Sequence, residues 1–554
     1  MTRKKQKLSY KKPDFHPYID DWMSKVETGK VESCEEQKLL MALLRKVLSK
    51  KTVYIDSDEI LDSVEMMERR FFALHDFQRF MTALIVGVRY KQDDTLVFNQ
   101  VFIMGGRGFG KNGFISALTT YLTSGGNGIE RYNVDIVATA EDQAKTSFDD
   151  IYNMVEENED IEELFHRTKI EIENLETKSK IRYRTSNAKT KDGLRPGCVI
   201  FDEVHEYTDY KNINVYTSAL GKTKDPRRIY LTTDGYVRDA VLDDLKEKAK
   251  QILNGEIEHN GFLPILFKLD DISEVEDKKK WIKANPRLSH APELMREMEI
   301  QYRDMLLNDE VKEEFITKRM NLIYVSADKV VAVWKDIMTA CKQKMPDLSG
   351  ASCLGVLDYA DVNDFVSVGL YFKHGDKRVF KQHSFIHEKS IRMKKYNVNL
   401  KEAFDKGWAT LVKGTPTIPG TLITNWFLAQ AEEYNIKKVI GDRYRISGVS
   451  QDFANAGIPF EGKIFGPRTH MQIQPFVNKL FTEHLLILED DKLMRWYINN
   501  VGVRTDSKGN KEFFKIEQKR RKTDGMFALL HGIASDDDAD DVTAVHEVFE
   551  PFVF

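Results

Sequence analysis

One glycine-rich segment limits the folds open to this chain more than any other feature. Residues 105–112 read Gly-Gly-Arg-Gly-Phe-Gly-Lys-Asn, directly after the mostly apolar run 96–104 and before a predicted helix. This order fits the Gly-x-x-x-x-Gly-Lys part of a P-loop, in which backbone N–H groups and a helix N-terminus bind phosphate. The segment predicts a strand–loop–helix unit of an α/β fold, in which Gly105, Gly110 and Lys111 face the phosphates of a nucleotide.

The last position of that pattern departs from the usual P-loop. Asn112 stands where Ser or Thr normally provides a hydroxyl ligand for Mg²⁺. An amide oxygen can meet the ion directly or through water, so the affinity of this loop for metal stays open. An ordinary glycine-rich turn is the other interpretation of the segment, but its place between a strand and a helix favours phosphate binding.

Two acids end an apolar run farther along the chain. Residues 198–203 read Cys-Val-Ile-Phe-Asp-Glu, which is typical of a Walker B strand when a P-loop precedes it. Asp202 is predicted to hold Mg²⁺ through water, and Glu203 to polarise the water that attacks the nucleotide. Thr232 and Thr233 end the next predicted strand, where a side chain could sense loss of the γ-phosphate. An ordinary polar exit from the strand is the alternative for these two threonines.

Length and composition exclude several classes of protein. A chain of 554 residues is long enough for three to four domains of about 150 residues, or for two larger ones. With 42% hydrophobic and 31% charged residues, neither disorder nor a fibrous repeat fits. The formal net charge of -4 gives no general basic surface, so a nucleic-acid partner must meet a local patch.

The sequence also indicates the compartment. The 4 cysteines form no close Cys-x-x-Cys pair, which argues against a structural zinc site and favours a reducing compartment. The basic N-terminus leads into no apolar core of the kind a secretory signal has. The long charge-free run 414–431 is interrupted by Pro416, Pro419 and Asn425, which argues against a membrane span. We therefore expect a soluble, intracellular protein.

Alternation of apolar runs and helical stretches divides the chain into two α/β segments. The first segment has predicted helices over 35–48 and 66–90, and predicted strands over 96–104, 134–139, 198–202, 229–233 and 263–267. Strands separated by helices predict a mostly parallel sheet. In the second segment, predicted strands cover 353–358, 365–372, 378–385, 437–441, 485–488 and 501–504, with helices over 422–434 and 524–533. Its first three strands follow one another closely, which predicts a meander in a mixed sheet.

A polar, turn-rich stretch near residues 342–352 separates the two segments. We predict a helical lead-in over residues 1–60, a P-loop domain over 61–335, a linker over 336–350 and a second domain over 351–554.

Three aspartates lie at the ends of predicted elements in the second segment. Asp358 ends the first strand, Asp442 follows the strand 437–441, and Asp524 begins the helix 524–533. A carboxylate cluster can hold two divalent ions for phosphodiester hydrolysis, because Mg²⁺ and Mn²⁺ prefer oxygen ligands. Each acid alone is more often a helix cap or a solvated turn residue, so the spacing leaves this site open.

Charged runs lie on both sides of the third aspartate. The basic run before it could draw a phosphate backbone toward the acids, or it could form a solvated helix face. Its residues are Lys515, Lys519, Arg520, Arg521 and Lys522. The acidic run 536–541 offers Asp540 and Asp541 as competing metal ligands. They rank below Asp524, and we predict a solvated loop for the run.

Taken together, these motifs resemble the large terminase subunit of tailed bacteriophages, in the branch whose ATPase and nuclease share one chain. Further landmarks of that family are matched in order by residues 137–144 (VATAEDQA), 189–196 (KTKDGLRP), Trp281 with 284–286 (ANP), and 315–321 (FITKRMN). An ordered series of this kind is more specific than any one motif. The resemblance implies an ASCE-type P-loop ATPase domain with a parallel-rich sheet, followed by an RNase H-like nuclease domain with a mixed sheet.

The resemblance also implies roles for individual residues. Gln78 matches the adenine-contacting glutamine of the family, with a plain surface glutamine as the alternative, and Arg107 matches a basic position that assists hydrolysis. Thr232 and Thr233 match the coupling motif. The blocks 355–358 with Asp364, 441–444 and 521–525 match the nuclease motifs and select Asp358, Asp442 and Asp524 as metal ligands. Asn112 and Asp234 depart from the family pattern.

The function that this resemblance implies is DNA packaging. ATP and Mg²⁺ would serve the first domain, which moves double-stranded DNA into a procapsid, and Mg²⁺ or Mn²⁺ would serve the second, which cuts the concatemer. The implied partners are double-stranded DNA, a small terminase subunit, the portal protein and further copies of the chain in a ring, with no membrane. The implied location is the cytoplasm of the infected bacterial host, and not the mature virion.

Two other functions remain open at this point. Residues 202–205 read Asp-Glu-Val-His, which is an Asp-Glu-x-His helicase box, although no Gln-x-x-Gly-Arg-x-x-Arg motif of a second motor lobe follows Thr233. A nucleotide-binding scaffold without hydrolysis is the other alternative, because Asn112 replaces the usual metal ligand.

Overall fold

The computed structural model describes residues 14–185, 195–324, 329–359, 365–393, 396, 398–444, 449–505, 511–516 and 521–543. The chain forms two compact units, which divide between Tyr324 and Val325. Each unit is built around its own large sheet.

The first unit opens with helices that pack on its sheet. These are α1 (Pro17–Glu27), α2 (Glu35–Leu48), α3 (Ser57–Arg70) and α4 (Asp76–Val86), with a two-stranded ladder of β1 (Val53–Ile55) and β2 (Val88–Tyr90). Leu44 of α2 and Phe80 of α4 share one apolar cluster with Ile103 of the large sheet. The predicted helix 66–90 is two helices and a strand, because the side chain of Gln78 accepts the N–H of His75 and starts a new helix.

Eight strands of the described residues form the large sheet of the first unit. They are β3 (Gln100–Met104), β4 (Asn133–Ala138), β5 (Phe165–Arg167), β6 (Glu171–Asn174), β7 (Lys180–Thr185), β8 (Pro196–Phe201), β9 (Arg227–Thr232) and β10 (Phe262–Leu266). The order is β10-β3-β9-β8-β4-β7-β6-β5, parallel from β10 to β7 and antiparallel at the β5–β6 edge. The five strands predicted here are confirmed, and β3, β8 and β9 end at one edge of the sheet.

Helices cover both faces of this sheet, as expected for parallel strands that are apolar on both sides. The helices after the P-loop in this unit are α5 (Lys111–Leu122), α6 (Glu141–Glu157), α7 (Glu159–Glu162), α8 (Lys211–Thr217), α9 (Val241–Leu253), α10 (Pro292–Met305) and α11 (Asp309–Glu314). Of these, α10 and α11 pack in an apolar cluster separate from the sheet. A π-helical turn, Phe315–Arg319, follows α11. Short 3₁₀ turns cover Gly125–Asn127, Val204–Glu206, Ile272–Glu276, Lys278–Lys283 and Pro286–Ser289. A separate apolar cluster packs Trp281 against Phe315, with ring centroids 5.5 Å apart.

The second unit contains a mixed sheet. Its strands are β11 (Ser352–Asp358), β12 (Phe365–His374), β13 (Lys377–His387), β14 (Ala409–Val412), β15 (Asn435–Asp442), β16 (Phe460–Lys463) and β17 (Leu486–Leu488), beside a hairpin of β18 (Val501–Thr505) and β19 (Lys511–Lys515). The order is β14-β13-β12-β11-β15-β16, with β17 paired to β13. Strands β11 to β13 form the predicted antiparallel meander, and β15 and β16 continue it in parallel. The predicted fold class, a parallel-rich sheet followed by an RNase H-like mixed sheet, is confirmed.

Helices also flank the second sheet. They are α12 (Trp334–Lys342), α13 (Glu388–Met393), α14 (Leu400–Asp405), α15 (Gly420–Gln430), α16 (Ser450–Asn455), α17 (Pro467–Thr482), α18 (Lys492–Asn499) and α19 (Asp524–Ile533), followed by a 3₁₀ turn at Asp536–Asp538. Helix α12 overlaps the first part of the predicted linker 336–350, and it buries Ile337 and Cys341 in the core. Across the described part of the chain, no helix combines the length and the apolar character that crossing a membrane requires.

Candidate functional sites

The P-loop connects β3 to α5. Gly108 and Gly110 have φ angles of +90° and +88°, in the left-handed region that glycine adopts without strain. Lys111 begins α5, and its buried ammonium donates a hydrogen bond to the carbonyl of Gly105 at 3.2 Å. Burial lowers the pKa of Lys111, and nearby carboxylates oppose this shift. Asn112, the second residue of the helix, is half-buried.

Two segments far along the chain, around Ala284 and Lys318, form hydrogen bonds that support the P-loop. The N–H of Gly106 donates to the carbonyl of Ala284 at 2.9 Å, and the N–H of Arg107 donates to the carbonyl of Lys318 at 2.7 Å. The guanidinium of Arg319 donates to the carbonyl of Arg107 at 2.8 Å. A Cβ at Gly106 would lie 2.1 Å from the carbonyl oxygen of Arg319, so this contact requires glycine. Both supporting segments are family landmarks to which sequence reasoning assigned no role.

Of two residues with roles implied by the family resemblance, Gln78 lies beside the P-loop and Arg107 lies within it. Gln78 is only 2% exposed, so the alternative of a plain surface glutamine is wrong. Its Nε2 lies 3.9 Å from the position that a Cβ on Gly110 would take. The guanidinium of Arg107 forms an ion pair with Glu314 at the surface. Contact of Gln78 with adenine and assistance by Arg107 remain predictions.

Strand β8 carries two acids to the same sheet edge as the P-loop. Asp202 is buried, and its N–H donates to the carbonyl of Val137 at 2.8 Å. Burial raises the pKa of Asp202 to about 7, and the charge of Glu203 adds to the shift. Burial also acts to raise the pKa of Glu203, but His205 and Lys111 outweigh it and lower that pKa to about 2. Glu203 is therefore ionised at neutral pH, in a left-handed conformation with a φ of +49°.

His205 connects Glu203 to other parts of this site. Its Nδ1 lies 3.0 Å from Oε2 of Glu203 and 3.1 Å from Oγ1 of Thr232. Its Nε2 lies 2.7 Å from Nζ of Lys318. Burial lowers the pKa of Lys318 to about 8, although the carboxylate of Glu203 opposes the shift. Sequence reasoning noted the histidine only as part of a helicase-like box, and the lysine partner is 113 residues away.

The end of β9 is hydrogen-bonded to the P-loop and to the loop that follows β8. The carbonyl of Thr232 accepts the N–H of Gly105 at 3.2 Å, and its hydroxyl accepts the N–H of His205 at 3.1 Å. Thr233 is buried, and its hydroxyl donates to the carbonyl of Asp234 at 3.0 Å. Asp234 is buried as well, where Lys246 lies 2.6 Å from its carboxylate and holds its pKa below the ordinary value against the effect of burial.

The second unit brings Asp358 and Asp442 together at one edge of its sheet and places Asp524 at the start of a helix that packs on the same strands. Leu357 of β11 pairs with Gly441 of β15, which makes Asp358 and Asp442 the next residues on two neighbouring parallel strands. Asp524 begins α19. This helix packs on both strands, and Nδ1 of His531 donates to the carbonyl of Leu357 at 2.9 Å. Asp358 and Asp524 are 9% and 7% exposed.

These carboxylates have the chemistry of a divalent-metal site, since Mg²⁺ and Mn²⁺ prefer oxygen ligands. Among the described residues, however, their oxygens do not all come within 4.8 Å of one another, as those of a formed three-ligand site would. The potential ligand atoms of Cys34, Glu36 and Asp270 in the first unit do so. In that group, Lys268 lies 3.0 Å from Glu36 and Lys283 lies 2.8 Å from Asp270, so lysines already neutralise its charge.

The basic run before Asp524 is only partly within the described residues. Lys519 and Arg520 lie outside them, as do residues 189–194 and Asp364 among the predicted landmarks. Lys522 is buried, and its ammonium lies 5.5 Å from the ring centroid of Phe365. A solvated helix face therefore does not describe Lys522.

The prediction of a solvated loop for the acidic run 536–541 is wrong. Asp536 is held by Arg378 and by the hydroxyl of Tyr371. The further pairs are Asp538 with Lys463 at 2.5 Å, Asp540 with Lys437 at 2.8 Å, and Asp541 with the N–H of Gly375 at 2.9 Å. Strands β13, β15 and β16 present basic side chains to this run, so its carboxylates fasten the chain to the sheet.

Known proteins share this organisation. Residues 256–535, just over half of the chain, match the family described as "Terminase large subunit, endonuclease domain", and residues 76–251 match "Terminase large subunit, ATPase domain". The chain is 26% identical over 255 residues to the terminase large subunit of Lactococcus phage p2, a match that covers 42% of this chain and 46% of that relative. It therefore spans less than half the length of that curated relative.

Two further proteins are similar to the chain. Protein YmfN of Escherichia coli (strain K12) is 22% identical over 376 residues, which cover 62% of this chain and 78% of YmfN. The crystal structure of the HK97 bacteriophage large terminase superposes with a TM-score of 0.48 and 17% identity, covering 86% of this chain and 99% of that one.

Proposed function

Because the chain belongs to the terminase large subunit family, we propose that it is a DNA-packaging motor subunit that hydrolyses ATP and cleaves double-stranded DNA. One observation carries this proposal. Lys111 begins the helix after β3 and Glu203 follows β8, so both lie at the carboxyl edge of one parallel sheet, where nucleotides bind in such folds. Family membership argues against the helicase and the scaffold alternatives.

The residues of the first unit support ATP hydrolysis. The N–H groups of the loop and the N-terminus of α5 would bind the β- and γ-phosphates, together with the ammonium of Lys111. The carboxylate of Asp202 would hold Mg²⁺ through water. When bound, this ion neutralises charge on the phosphates. Glu203, ionised at neutral pH, would accept a proton from the attacking water, so that the water oxygen bonds to the γ-phosphorus and ADP leaves.

The second unit supports DNA cleavage. Asp358, Asp442 and Asp524 would hold divalent ions, Mg²⁺ or Mn²⁺. This is supported by the adjacent ends of β11 and β15, which carry the first two aspartates, and by the packing of α19, which begins at Asp524, on both strands. Such ions activate water and stabilise the leaving oxygen of a phosphodiester. The sheet fixes the backbone of the first two aspartates, and the contact between His531 and Leu357 fixes the helix that carries the third.

Partners and location also form part of this proposal. Double-stranded DNA is the substrate, a small terminase subunit selects it, and the portal protein of the procapsid receives it. Several copies of the chain form a ring during packaging, in the cytoplasm of the infected bacterial host. The protein is absent from the mature virion. These statements rest on family membership.

The test uses the purified full chain in two assays. ATP turnover is measured for wild type, Glu203→Gln and the matched control Lys312→Met, a partly exposed lysine on α11. Cleavage of plasmid DNA is measured with Mg²⁺, Mn²⁺ or EDTA for wild type, Asp358→Asn and the control Asp376→Asn, which lies at an exposed hairpin tip. We expect each site variant to lose its activity by about a hundredfold or more and each control to match wild type.

Several results would contradict the proposal. Turnover that survives Glu203→Gln would exclude this residue as the base. Cleavage that survives Asp358→Asn, or that persists in EDTA, would exclude a metal-dependent nuclease at this edge. ATP binding without turnover by wild type would instead favour the scaffold.

A further inference from the structure

Lys318 contacts two different parts of the nucleotide site. Its carbonyl accepts the N–H of Arg107 in the P-loop at 2.7 Å. Its ammonium lies 2.7 Å from Nε2 of His205 and donates to the carbonyl of Asp234 at 3.0 Å. One residue therefore joins the loop that would bind phosphate to the loop that carries the proposed base.

The contact with Lys318 determines which nitrogen of His205 carries the proton. A lysine ammonium has donors and no acceptor, and with a pKa of about 8 this amine is mostly protonated at neutral pH. Nε2 of the histidine must therefore accept, and in the neutral ring the proton lies on Nδ1. This nitrogen lies 3.0 Å from Oε2 of Glu203, so the positive edge of the ring is beside the carboxylate.

Thr232 supports the same orientation of the ring. Its hydroxyl donates to the carbonyl of Thr233 at 2.6 Å, so toward His205 it can only accept. Nδ1 thus donates to the hydroxyl of Thr232 at 3.1 Å, and the carboxylate of Glu203 lies 3.0 Å from the same nitrogen.

The position of the lysine is built into the fold. Lys318 is 8% exposed and lies in the π-helical turn Phe315–Arg319, where the wider turn re-aims side chains relative to an α-helix. Phe315 fixes the start of the turn by packing on Trp281. The side chain of Asn321 fixes its end, because its oxygen accepts the N–H of Asp234 at 2.8 Å.

We propose that Lys318 is a positioning residue for ATP hydrolysis, which acts through His205 to hold the carboxylate of Glu203 in place. The inference rests on the proposed ATPase function of this site. A displacement of about 1 Å of a catalytic group costs up to about a hundredfold in rate. Because the carbonyl of Lys318 is bonded to the P-loop, the loop and the base are held in register by the same residue.

The test is a double-mutant cycle on ATP turnover by the full chain. Lys318→Met removes the donor at similar length, and His205→Phe removes both ring nitrogens. We expect each change to lower kcat by about tenfold or more, with affinity for ATPγS within about twofold of wild type. The double variant should be no slower than the slower single variant, because both changes break the same chain of contacts.

Two further variants make the result specific. Lys318→Arg keeps the charge and several donors, and should retain more turnover than Lys318→Met. Lys312→Met, on the preceding helix α11, should match wild type. Melting temperatures of all variants are compared, and if Lys318→Met fails to fold, the cycle is run with Lys318→Gln, which removes the ammonium, and His205→Asn, which removes the imidazole.

Several outcomes would overturn the inference. If the losses of kcat in the two single variants multiply in the double variant, the two residues act separately. A loss of ATPγS affinity with unchanged kcat would make Lys318 a nucleotide-binding residue. Equal turnover by wild type and Glu203→Gln would contradict the proposed ATPase mechanism itself. This comparison therefore distinguishes a wrong ATPase mechanism from a wrong role for Lys318.

Discussion

The guanidinium of Arg378 holds the carboxylate of Asp536 in a two-pronged contact, with Nη2 donating to Oδ2 at 2.7 Å and Nε donating to the other oxygen. Arg378 lies on β13, and Asp536 lies just after the helix that begins at Asp524. The pair therefore fastens the helix that carries the third proposed metal ligand to the sheet that carries Asp358. The acidic run 536–541 has the composition of a metal site, but here it attaches the chain to the sheet.

Removing one partner of this pair should destabilise the second unit. Asp536→Asn leaves the nearly buried guanidinium of Arg378 without its counter-charge. We expect the free energy of unfolding to fall by about 2–3 kcal/mol. The measurement is urea unfolding followed by tryptophan fluorescence, with the exposed neighbour substitution Asp537→Asn as control. An equal loss in both variants would show that the run acts only through its overall charge.

Crowding at Gly106 gives a second prediction. In Gly106→Ala the new Cβ meets the carbonyl oxygen of Arg319 at 2.1 Å, so the P-loop and the segment 315–321 must separate. We expect affinity for ATPγS to fall by about tenfold, which corresponds to about 1.4 kcal/mol of strain. Titration calorimetry measures the affinity.

The control for that substitution is Gly466→Ala, where a Cβ meets no described atom within 4 Å. It should bind ATPγS like wild type. Unchanged binding by Gly106→Ala would show that the loop tolerates movement of the supporting segment.

Much of the fold could be predicted from the sequence, because buried parallel strands read as apolar runs. The run 198–202 corresponds to β8, and the helix predicted over 524–533 has those bounds in the structure. Strands β5 and β6 were not predicted, since their segments of 3 and 4 residues are rich in charge and too short to establish a period. Their pairing depends on the neighbouring edge rather than on local pattern.

The site residues could be predicted from the sequence where they belong to one short continuous motif. The P-loop and the pair Asp202–Glu203 follow from short motifs. The roles of Ala284 and Lys318 could not be derived from spacing, because their contacts join positions that are far apart in the chain. The order of the family motifs along the sequence identified these segments. Only their contacts in the structure show that they support the P-loop.

Metal binding at the second sheet gives a third prediction. If Asp442 is a ligand, Asp442→Asn should weaken binding of Mn²⁺ by at least about tenfold, because one charged oxygen ligand is lost. Titration calorimetry at neutral pH measures the affinity. Asp540→Asn is the matched control, since that carboxylate pairs with Lys437 and should leave the affinity unchanged. The reverse result would place the metal at the acidic run.

The last prediction concerns pH. Asp491 caps α18, where its carboxylate accepts the N–H of Leu493 at 2.7 Å, and burial raises its pKa to about 7. Between about pH 4 and pH 7 the folded protein then binds a proton that the unfolded chain has released. This group therefore lowers the free energy of unfolding as pH rises through that window, by up to about 1.4 kcal/mol per pH unit.

Asp491→Asn should remove this dependence, because an amide does not titrate while its oxygen can still accept the N–H of Leu493. We expect the variant to be more stable than wild type at about pH 8 and to show a smaller change in the free energy of unfolding between about pH 5 and pH 8. Urea unfolding at the two pH values measures both quantities. Parallel pH profiles would mean that Asp491 is ionised in the folded state throughout this range, and that its charge is stabilised by the hydrogen bonds of the cap.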